Sequence, residues 1–465
     1  MRHKSLRSVL LLLLAGVLVL GAVSVASAEK VKVRIWGMNT AVPGGARNQV
    51  KVFNETHDHI ELVPEVPTIQ EGTGSGTATG GTVSSMQKLL TAIAAGNPPD
   101  ITTVDRFSIP SWADRNALMA LDSFIQKDAF DMSRYYKFAV DEITVDNSIY
   151  ALPTGGDGRY LLWNKDIYAK AGLDPEQPPT TWDEVLEYGK KLTVKRGSRS
   201  FEQLGFVSQL APAGTFYLLT ILNGGGFLAE DGRTVTLTEP EVVEALEWMV
   251  QWYDELGGAE NINAFLGAFQ IDTANDPFAM GKVAQIITGD WVLGNLARYK
   301  PDLNFGIAPP PAASPEFYGR TWFGGWGWAI PRGAKNADAA WEVIKWLCSE
   351  EGTKAFDEGE HAYRTSENLP FVPGLSALKG MNEANIELVQ DELPTPFLEA
   401  MEFRVSNLGD DNRVRHITPV ASELYARTGR AVDAAIHHKQ SPAEALKEAQ
   451  VELQKMLDDY YAKQN

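Results

Sequence analysis

Short β-branched runs answered by segments of helical period recur along this chain, and that alternation constrains its fold more than any other feature. Val31-Lys32-Val33-Arg34-Ile35-Trp36 alternates apolar and polar side chains, the period of a strand. Residues 48–57 read as a helix and residues 60–66 as a second strand. Met86, Leu89, Leu90 and Ile93 then recur at i, i+3, i+4 and i+7, one buried helix face stopped by Gly96. Further strands are predicted at 101–104, 149–153, 160–163, 206–208, 282–287 and 304–308. A helix is predicted through Trp112, Leu118 and Leu121. Thr181-Trp182-Asp183-Glu184, Thr238-Glu239-Pro240-Glu241 and Ser441-Pro442-Ala443-Glu444 have the form of capping boxes that open helices. Trp341, Ile344, Leu347 and Cys348 share a helical face, which makes Cys348 a core residue. The class is α/β, with sheets covered on both faces.

Residues 1–28 read as an export leader rather than part of that fold. Arg2, Lys4 and Arg7 precede a leucine-rich run from Val9 to Val23, and Ala26-Ser27-Ala28 is a small-x-small cleavage site. The mature chain is then expected to start at Glu29, outside the cytoplasm, without a membrane anchor. Loss of the three basic residues takes the formal charge from −18 to −21. Phosphate repels such a surface, so nucleic acid is a poor partner. The single cysteine, Cys348, cannot form an intrachain disulfide, so stability must come from cores, and 465 residues suffice for two or three of them.

The chemistry-bearing stretch is Thr321-Trp322-Phe323-Gly324-Gly325-Trp326-Gly327-Trp328, large flat rings on a permissive backbone. It serves equally as corner packing or as a surface for a ligand with apolar faces and polar edges. In an extended chain Trp326 and Trp328 share a face; Trp322 stays unassigned. Four polar turns also leave strand ends: Trp36 to Asn39, Asp105-Arg106, Thr154 to Arg159, and Gly289-Asp290-Trp291. Each aspartate taken singly is more often a turn or cap residue, and each tryptophan core. Together they match a sugar site. A ring on one pyranose face buries roughly 100 Å², worth about 2–3 kcal/mol, and a hydroxyl donated to a carboxylate adds about 1.5–3 kcal/mol. Paired carboxylates among Asp105, Asp157 and Asp290 are the material of a glycoside hydrolase, the enzymatic alternative. No zinc-type His or Cys spacing and no Gly-x-Ser-x-Gly elbow occurs, and Asp410-Asp411-Asn412 is too poor in oxygens for a calcium loop, so neither metal nor cofactor is expected. Within residues 71–81, Gly74, Gly76 and Gly80 come near a dinucleotide fingerprint but miss its last position by one, and the stretch reads as a flexible loop.

Several ordered stretches carry a resemblance. They include Leu89-Leu90-Thr91-Ala92-Ile93-Ala94-Ala95-Gly96-Asn97-Pro98-Pro99-Asp100, Tyr150-Ala151-Leu152-Pro153, Trp163-Asn164-Lys165-Asp166, Thr181-Trp182-Asp183-Glu184 and Gly281-Lys282-Val283-Ala284 leading to Gly289-Asp290-Trp291. With Phe305-Gly306-Ile307-Ala308-Pro309, the chain resembles the extracellular solute-binding proteins of carbohydrate ABC transporters, the maltose- and trehalose-type family. The resemblance implies a periplasmic-binding-protein-like α/β fold of two lobes joined by crossing segments. One lobe would hold residues 29–153 and 324–372, the other 154–323 and 373–465. Carried over by position, ligand contacts fall on Trp36, Asn39, Asp105, Asp157, Arg159, Trp291, Gly325, Trp326 and Arg364. Some members carry an aromatic near Leu424, where Tyr425 could substitute. The implied function is binding of a sugar, mono- to oligosaccharide, with lobe closure and delivery to a membrane permease by a monomer, without catalysis. The number of tryptophans, Trp36, Trp163, Trp291, Trp322, Trp326 and Trp328, favours a disaccharide or longer. A polyol or other non-sugar solute, or a lectin-like adhesin, would use the same scaffold differently.

Overall fold

The structure is a computed structural model that describes residues 29–41, 43–65, 78–197, 199–409 and 415–463. The proposed leader, residues 66–77 and Asp410-Asp411-Asn412 lie outside the described residues. The principal strands in chain order are β1 (Val31–Trp36), β2 (Ile60–Glu65), β3 (Ile101–Asp105), β4 (Leu152–Pro153), β5 (Arg159–Asn164), β6 (Val207–Ser208), β7 (Gln285–Gly289), β8 (Phe305–Ala308) and β9 (Trp326–Ala329).

They form two sheets. The first has the order β2-β1-β3-β9-β4, with β1 parallel to β2 and β3, and β9 antiparallel to β3 and β4. The second has the order β6-β7-β5-β8, with β5 antiparallel to both its neighbours. Alternation along the first sheet divides its side chains between two cores. Val33, Ile35 and Ile101 pack with Phe53, Trp341, Ile344 and Cys348. Val104 and Ala329 pack with Met86, Leu89 and Trp112 on the opposite face. The second sheet is buried along all six residues of β5 and sits in a third core with Phe216, Trp252, Leu446 and Leu457.

Helix boundaries follow local chemistry where the caps are complete. Thr181 and Ser441 close the expected capping boxes with Glu184 and Glu444. Thr238 does not. Glu239 is the N-cap of helix Pro240–Leu256 without a side-chain bond, and the Thr238 hydroxyl donates to Gln450 Oε1 at 3.1 Å instead. The helix expected through Trp112, Leu118 and Leu121 also breaks. Helix Ile109–Asp114 ends before Asn116, whose φ is 54°, and Leu118 bridges to Pro331. The strand expected at 282–287 is β7, displaced to Gln285–Gly289 because Lys282 and Val283 turn back onto Pro277. Helix Ala78–Ala94 takes in the end of the stretch read as a loop at 71–81. Among the described residues no helix is long and apolar enough to cross a membrane.

One buried carboxylate makes stability depend on pH. Asp357, on helix Glu350–Ser366, is 7% exposed, and its Oδ2 has no partner among the described residues. Burial pushes its carboxyl up to about 7 against the hydrogen bond from Asn385. The folded state therefore keeps a proton that the unfolded chain releases from about pH 4 upward. Stability is then full below about pH 4, falls as pH rises to about 7, and is flat beyond. Asp357→Asn should leave stability at pH 4 nearly unchanged and raise it at pH 8 by on the order of 2–4 kcal/mol. Urea unfolding at the two pH values checks this; an equal effect at both removes the explanation.

Candidate functional site

The chain crosses between the sheets at 154–158 and again at 309–325, and the two crossings meet. Asp157 and Gly324 exchange backbone hydrogen bonds of 3.1 and 2.9 Å. A third segment, Leu375–Ser376, pairs antiparallel with Gly155–Gly156. The glycine content is steric in origin. Gly325 has φ of +140°, and a Cβ there would meet the Gly155 carbonyl and lie 2.5 Å from Arg106 Nη1.

Arg106 ties the crossings together. Its guanidinium, 0% exposed, donates from Nη1 to the Gly155 carbonyl at 2.5 Å and to the Trp326 carbonyl at 3.2 Å, and from Nη2 to the Gly324 carbonyl. Its Nε donates to Glu142 Oε2 at 3.1 Å. Glu142 Oε1 accepts Arg415 Nε at 3.0 Å, and Arg415 Nη2 reaches Asp105 Oδ1 at 3.0 Å. The Phe107 ring lies under the Arg415 guanidinium at 4.8 Å. Burial alone would lower the Arg415 pKa, but Glu142 and Asp105 outweigh it and hold the group well above its ordinary value.

A second ion pair adjoins the first over Gly324, whose absent Cβ would lie 2.6 Å from Asp157 Oδ1 and 3.1 Å from Arg415 Nη2. Arg159 Nη1 donates to Asp157 Oδ1 at 2.5 Å and to the Asp157 carbonyl at 2.7 Å. The Arg159 guanidinium lies 4.4 Å from the Trp322 ring and 5.3 Å from the Trp291 ring. Burial pushes the Asp157 carboxyl up, but Arg159, Arg415 and Arg106 together leave it below the usual carboxylate value. Arg159 Nε, Trp291 Nε1 and Trp322 Nε1 are buried and find no acceptor among the described residues. Behind the turn, Asp290 Oδ2 accepts the Gly158 N–H and Oδ1 accepts Arg404 Nη1 at 3.3 Å.

The junction gathers Asp105, Asp157, Arg159, Trp291, Gly325 and Trp326 from among the residues expected at the site. Trp326 is directly opposite Asp105 in the β3–β9 ladder and keeps 43% exposure. The other three have partners of their own outside this network. The Trp36 indole donates to Glu65 Oε2 at 3.0 Å and lines an open groove of about 950 Å³ beside helix Ala78–Ala94. Asn39 caps its own turn, accepting the Ala41 N–H at 3.0 Å. Arg364 Nε donates to Glu360 Oε1 at 2.8 Å, and Glu360 Oε2 accepts the Gly45 N–H at the start of helix Gly45–Thr56.

The structure adds residues that sequence reasoning missed. Glu142 and Arg415 carry no local signal, since their partners lie far away in the chain. Arg106 had one, a charged residue directly following a strand-end aspartate. Trp322, left unassigned, is 2% exposed beneath Arg159. Leu424 is core, while Tyr425 packs against Phe107 with ring centroids 4.6 Å apart. Among the described residues no group of three His, Cys, Asp or Glu is placed to hold a metal ion.

Known proteins share this architecture. CpMnBP1, solved with mannobiose bound, is 28% identical and superposes with a TM-score of 0.72, covering 91% of this chain and all of its own. A binding protein of Brucella abortus (strain 2308) is 25% identical over 279 residues, 59% of this chain. That match spans 64% of the Brucella protein's length. The sn-glycerol-3-phosphate-binding periplasmic protein of Rhizobium meliloti (strain 1021) is 27% identical over 286 residues, 57% of this chain and 60% of its own. These are binding proteins, and the two-sheet fold is that of the periplasmic-binding-protein class. The sequence model of the bacterial extracellular solute-binding proteins matches residues 46–354, and the chain belongs to that family.

Proposed function

We propose that the protein binds an uncharged carbohydrate at the junction of its two sheets, outside the cytoplasm, and delivers it to the permease of an ABC transporter. The observation that carries this reading is the charge balance of an aromatic-walled site. Arg106, Arg159 and Arg415 face Glu142, Asp157 and Asp105, so no net cation is left for a phosphate ester. The exposed Trp326 indole and the half-buried Trp291 ring suit pyranose C–H faces, with Trp322 packed beneath Arg159 as their support, and the unused N–H donors suit hydroxyl oxygens. Nine candidate contacts remain proposals: Trp36, Asn39, Asp105, Asp157, Arg159, Trp291, Gly325, Trp326 and Arg364. Asp105, Asp157, Arg159, Trp291, Gly325 and Trp326, the six near the junction, form the inner set.

The two lobes divide at the crossings, residues 29–153 with 324–372 against 154–323 with 373–465. Leu375, Ala377, Leu378 and Met381 pack across into the first sheet's core. Sugar bridging both lobes favours the closed form, and that differential affinity shifts the population. The likeness to CpMnBP1, which was solved with mannobiose, supports a disaccharide or longer. The protein acts as a secreted monomer whose leader is removed after Ala28, and nucleic acid is no partner.

Hydrolysis is disfavoured by the same ion pairs. Asp105 is held by Arg415, Asp157 by Arg159 and Asp290 by Arg404, and Asp290 is 6% exposed. Calorimetry against mannobiose, maltose, maltotriose, mannitol and sn-glycerol-3-phosphate tests the reading. One neutral oligosaccharide should bind with a Kd at or below about 1 µM and no release of reducing ends. Tighter binding of the phosphate ester overturns the uncharged-ligand reading, preferred binding of mannitol overturns the carbohydrate reading, and reducing-end release overturns pure binding.

A further inference from the structure

Asp290 lies behind the junction rather than in it. It sits at the start of helix Trp291–Tyr299, is 6% exposed, and meets the 154–158 crossing only through the Gly158 N–H. Gly158 separates the two residues whose side chains form the Asp157–Arg159 pair. A side chain at Gly158 would run into the Tyr160 hydroxyl and come within 2.9 Å of Phe323, so the backbone itself must be the point of attachment. The other Asp290 oxygen is held by Arg404, a buried residue of helix Thr395–Ser406 whose Nη2 also donates to the Pro373 carbonyl at 3.1 Å. Pro373 leads into the third segment, which pairs with Gly155–Gly156. One carboxylate thus fixes the turn, and through Arg404 it connects that turn to the third crossing.

We propose that Asp290 is a positioning residue for ligand binding: its ionised carboxylate holds the Gly158 amide so that Asp157 and Arg159 present as one preformed pair between Trp291 and Trp322. The inference rests on the reading of Asp157 and Arg159 as ligand contacts.

Ionisation matters because the two oxygens serve two donors. Protonation turns one oxygen into an O–H, and either Gly158 or Arg404 then faces a donor. Burial pushes the Asp290 carboxyl up to about 6, with Arg404 and the Gly158 N–H pulling it back, so the switch falls within the working range of an exported protein. The charged and titratable groups around it are Arg404, Asp157, Arg159 and Tyr160. His416 stands one layer further, against Tyr217, which packs edge-on to Trp322.

Two measurements between pH 5 and 7.5 test the proposal on the full mature chain. The first is amide exchange of the segment containing Gly158 in the ligand-free protein, corrected for intrinsic rates. Protection should fall severalfold as pH drops through about 6, and in Asp290→Asn, whose amide offers one acceptor, it should be low and flat. The second is the Kd for mannobiose, expected to weaken about 3–10-fold over the same range in the wild type and to stay flat at the weak value in Asp290→Asn. If Asp290→Asn does not fold, Arg404→Gln supplies the check, because loss of the counter-charge should move both inflections to higher pH. Flat wild-type protection overturns the proposal, as does an inflection that survives in Asp290→Asn, which would belong to another group such as His416. Protection that behaves as expected with no mannobiose binding leaves Asp290's role standing and counts against the reading of the site instead.

Discussion

Arg106→Met should cost about 3–5 kcal/mol of folding stability, although methionine nearly matches the arginine stem in length and is at home in a core. The loss comes from what the guanidinium leaves behind. Glu142, 1% exposed, keeps only Arg415 as a cation. The carbonyls of Gly155, Gly324 and Trp326 lose a buried donor at the place where the two crossings meet. The Gly324 carbonyl keeps the Asp157 N–H and the Trp326 carbonyl keeps the Thr154 N–H, so most of the cost falls on the half-paired Glu142 carboxylate, with a smaller share from the weakened carbonyl bonding. Arg106→Lys separates charge from geometry. A lysine retains the positive charge beside Glu142, but its single ammonium cannot span Glu142 and carbonyls on two separate crossings. It should recover part of the loss and no more. Chemical denaturation of the three proteins reads the order directly. A loss below about 1 kcal/mol for the methionine variant would show that the crossings do not depend on this residue.

How much of this arrangement was legible in the sequence depends on the range of the interaction involved. Strand period and complete caps act within a few residues, so Val31–Trp36, Thr181 and Ser441 read correctly. Thr238 had the same local form, yet its hydroxyl went to Gln450, a competitor from the last helix that no local rule weighs. The break after Asp114 likewise depends on a left-handed Asn116 and a bridge to Pro331. At the site, the polar turns and the Trp-Gly stretch were visible because each lies at a strand end. The charges that organise them were not. Glu142 lies in a short helix with nothing to distinguish it, and Arg415 finds Asp105 from 310 residues away. Trp36, Asn39 and Arg364 are the converse case: the sequence shows chemistry suited to a ligand but not the protein partners, Glu65, the Ala41 N–H and Glu360, that each also engages.

Arg415→Met should combine a stability loss of about 3 kcal/mol with at least a tenfold weaker Kd for the bound sugar. Residues 415–425 lie against helix Ile109–Asp114 and the residues flanking it. Ser111 Oγ donates to the Pro419 carbonyl at 2.8 Å, Arg115 pairs with Glu423 at 3.4 Å, and the Phe107 ring packs against Tyr425 at a tilt of 57°. Three ion pairs therefore cross the same seam, two of them made by Arg415, and burial separates their worth. The Arg115 and Glu423 side chains are 48% and 31% exposed, so water screens the pair and Arg115→Met should cost no more than about 0.5 kcal/mol. Arg415 is 8% exposed as a side chain, Glu142 1% and Asp105 15%, and losing the cation leaves Asp105 without its ion-pair partner and Glu142 with Arg106 alone. The effect on affinity follows from position. Asp105 is a proposed ligand contact directly opposite Trp326 in the ladder, and Arg415 both orients its carboxylate and draws the 415–425 segment against the first sheet. Without that tie the closed arrangement is populated less before ligand arrives, and the apparent affinity falls by the same fraction. Small-angle scattering of the ligand-free variant should accordingly show a larger radius of gyration than the wild type, restored at saturating sugar. Equal losses in Arg115→Met and Arg415→Met, or an unchanged Kd in the latter, would mean that the seam is held by apolar packing around Tyr425 and that its charges are incidental.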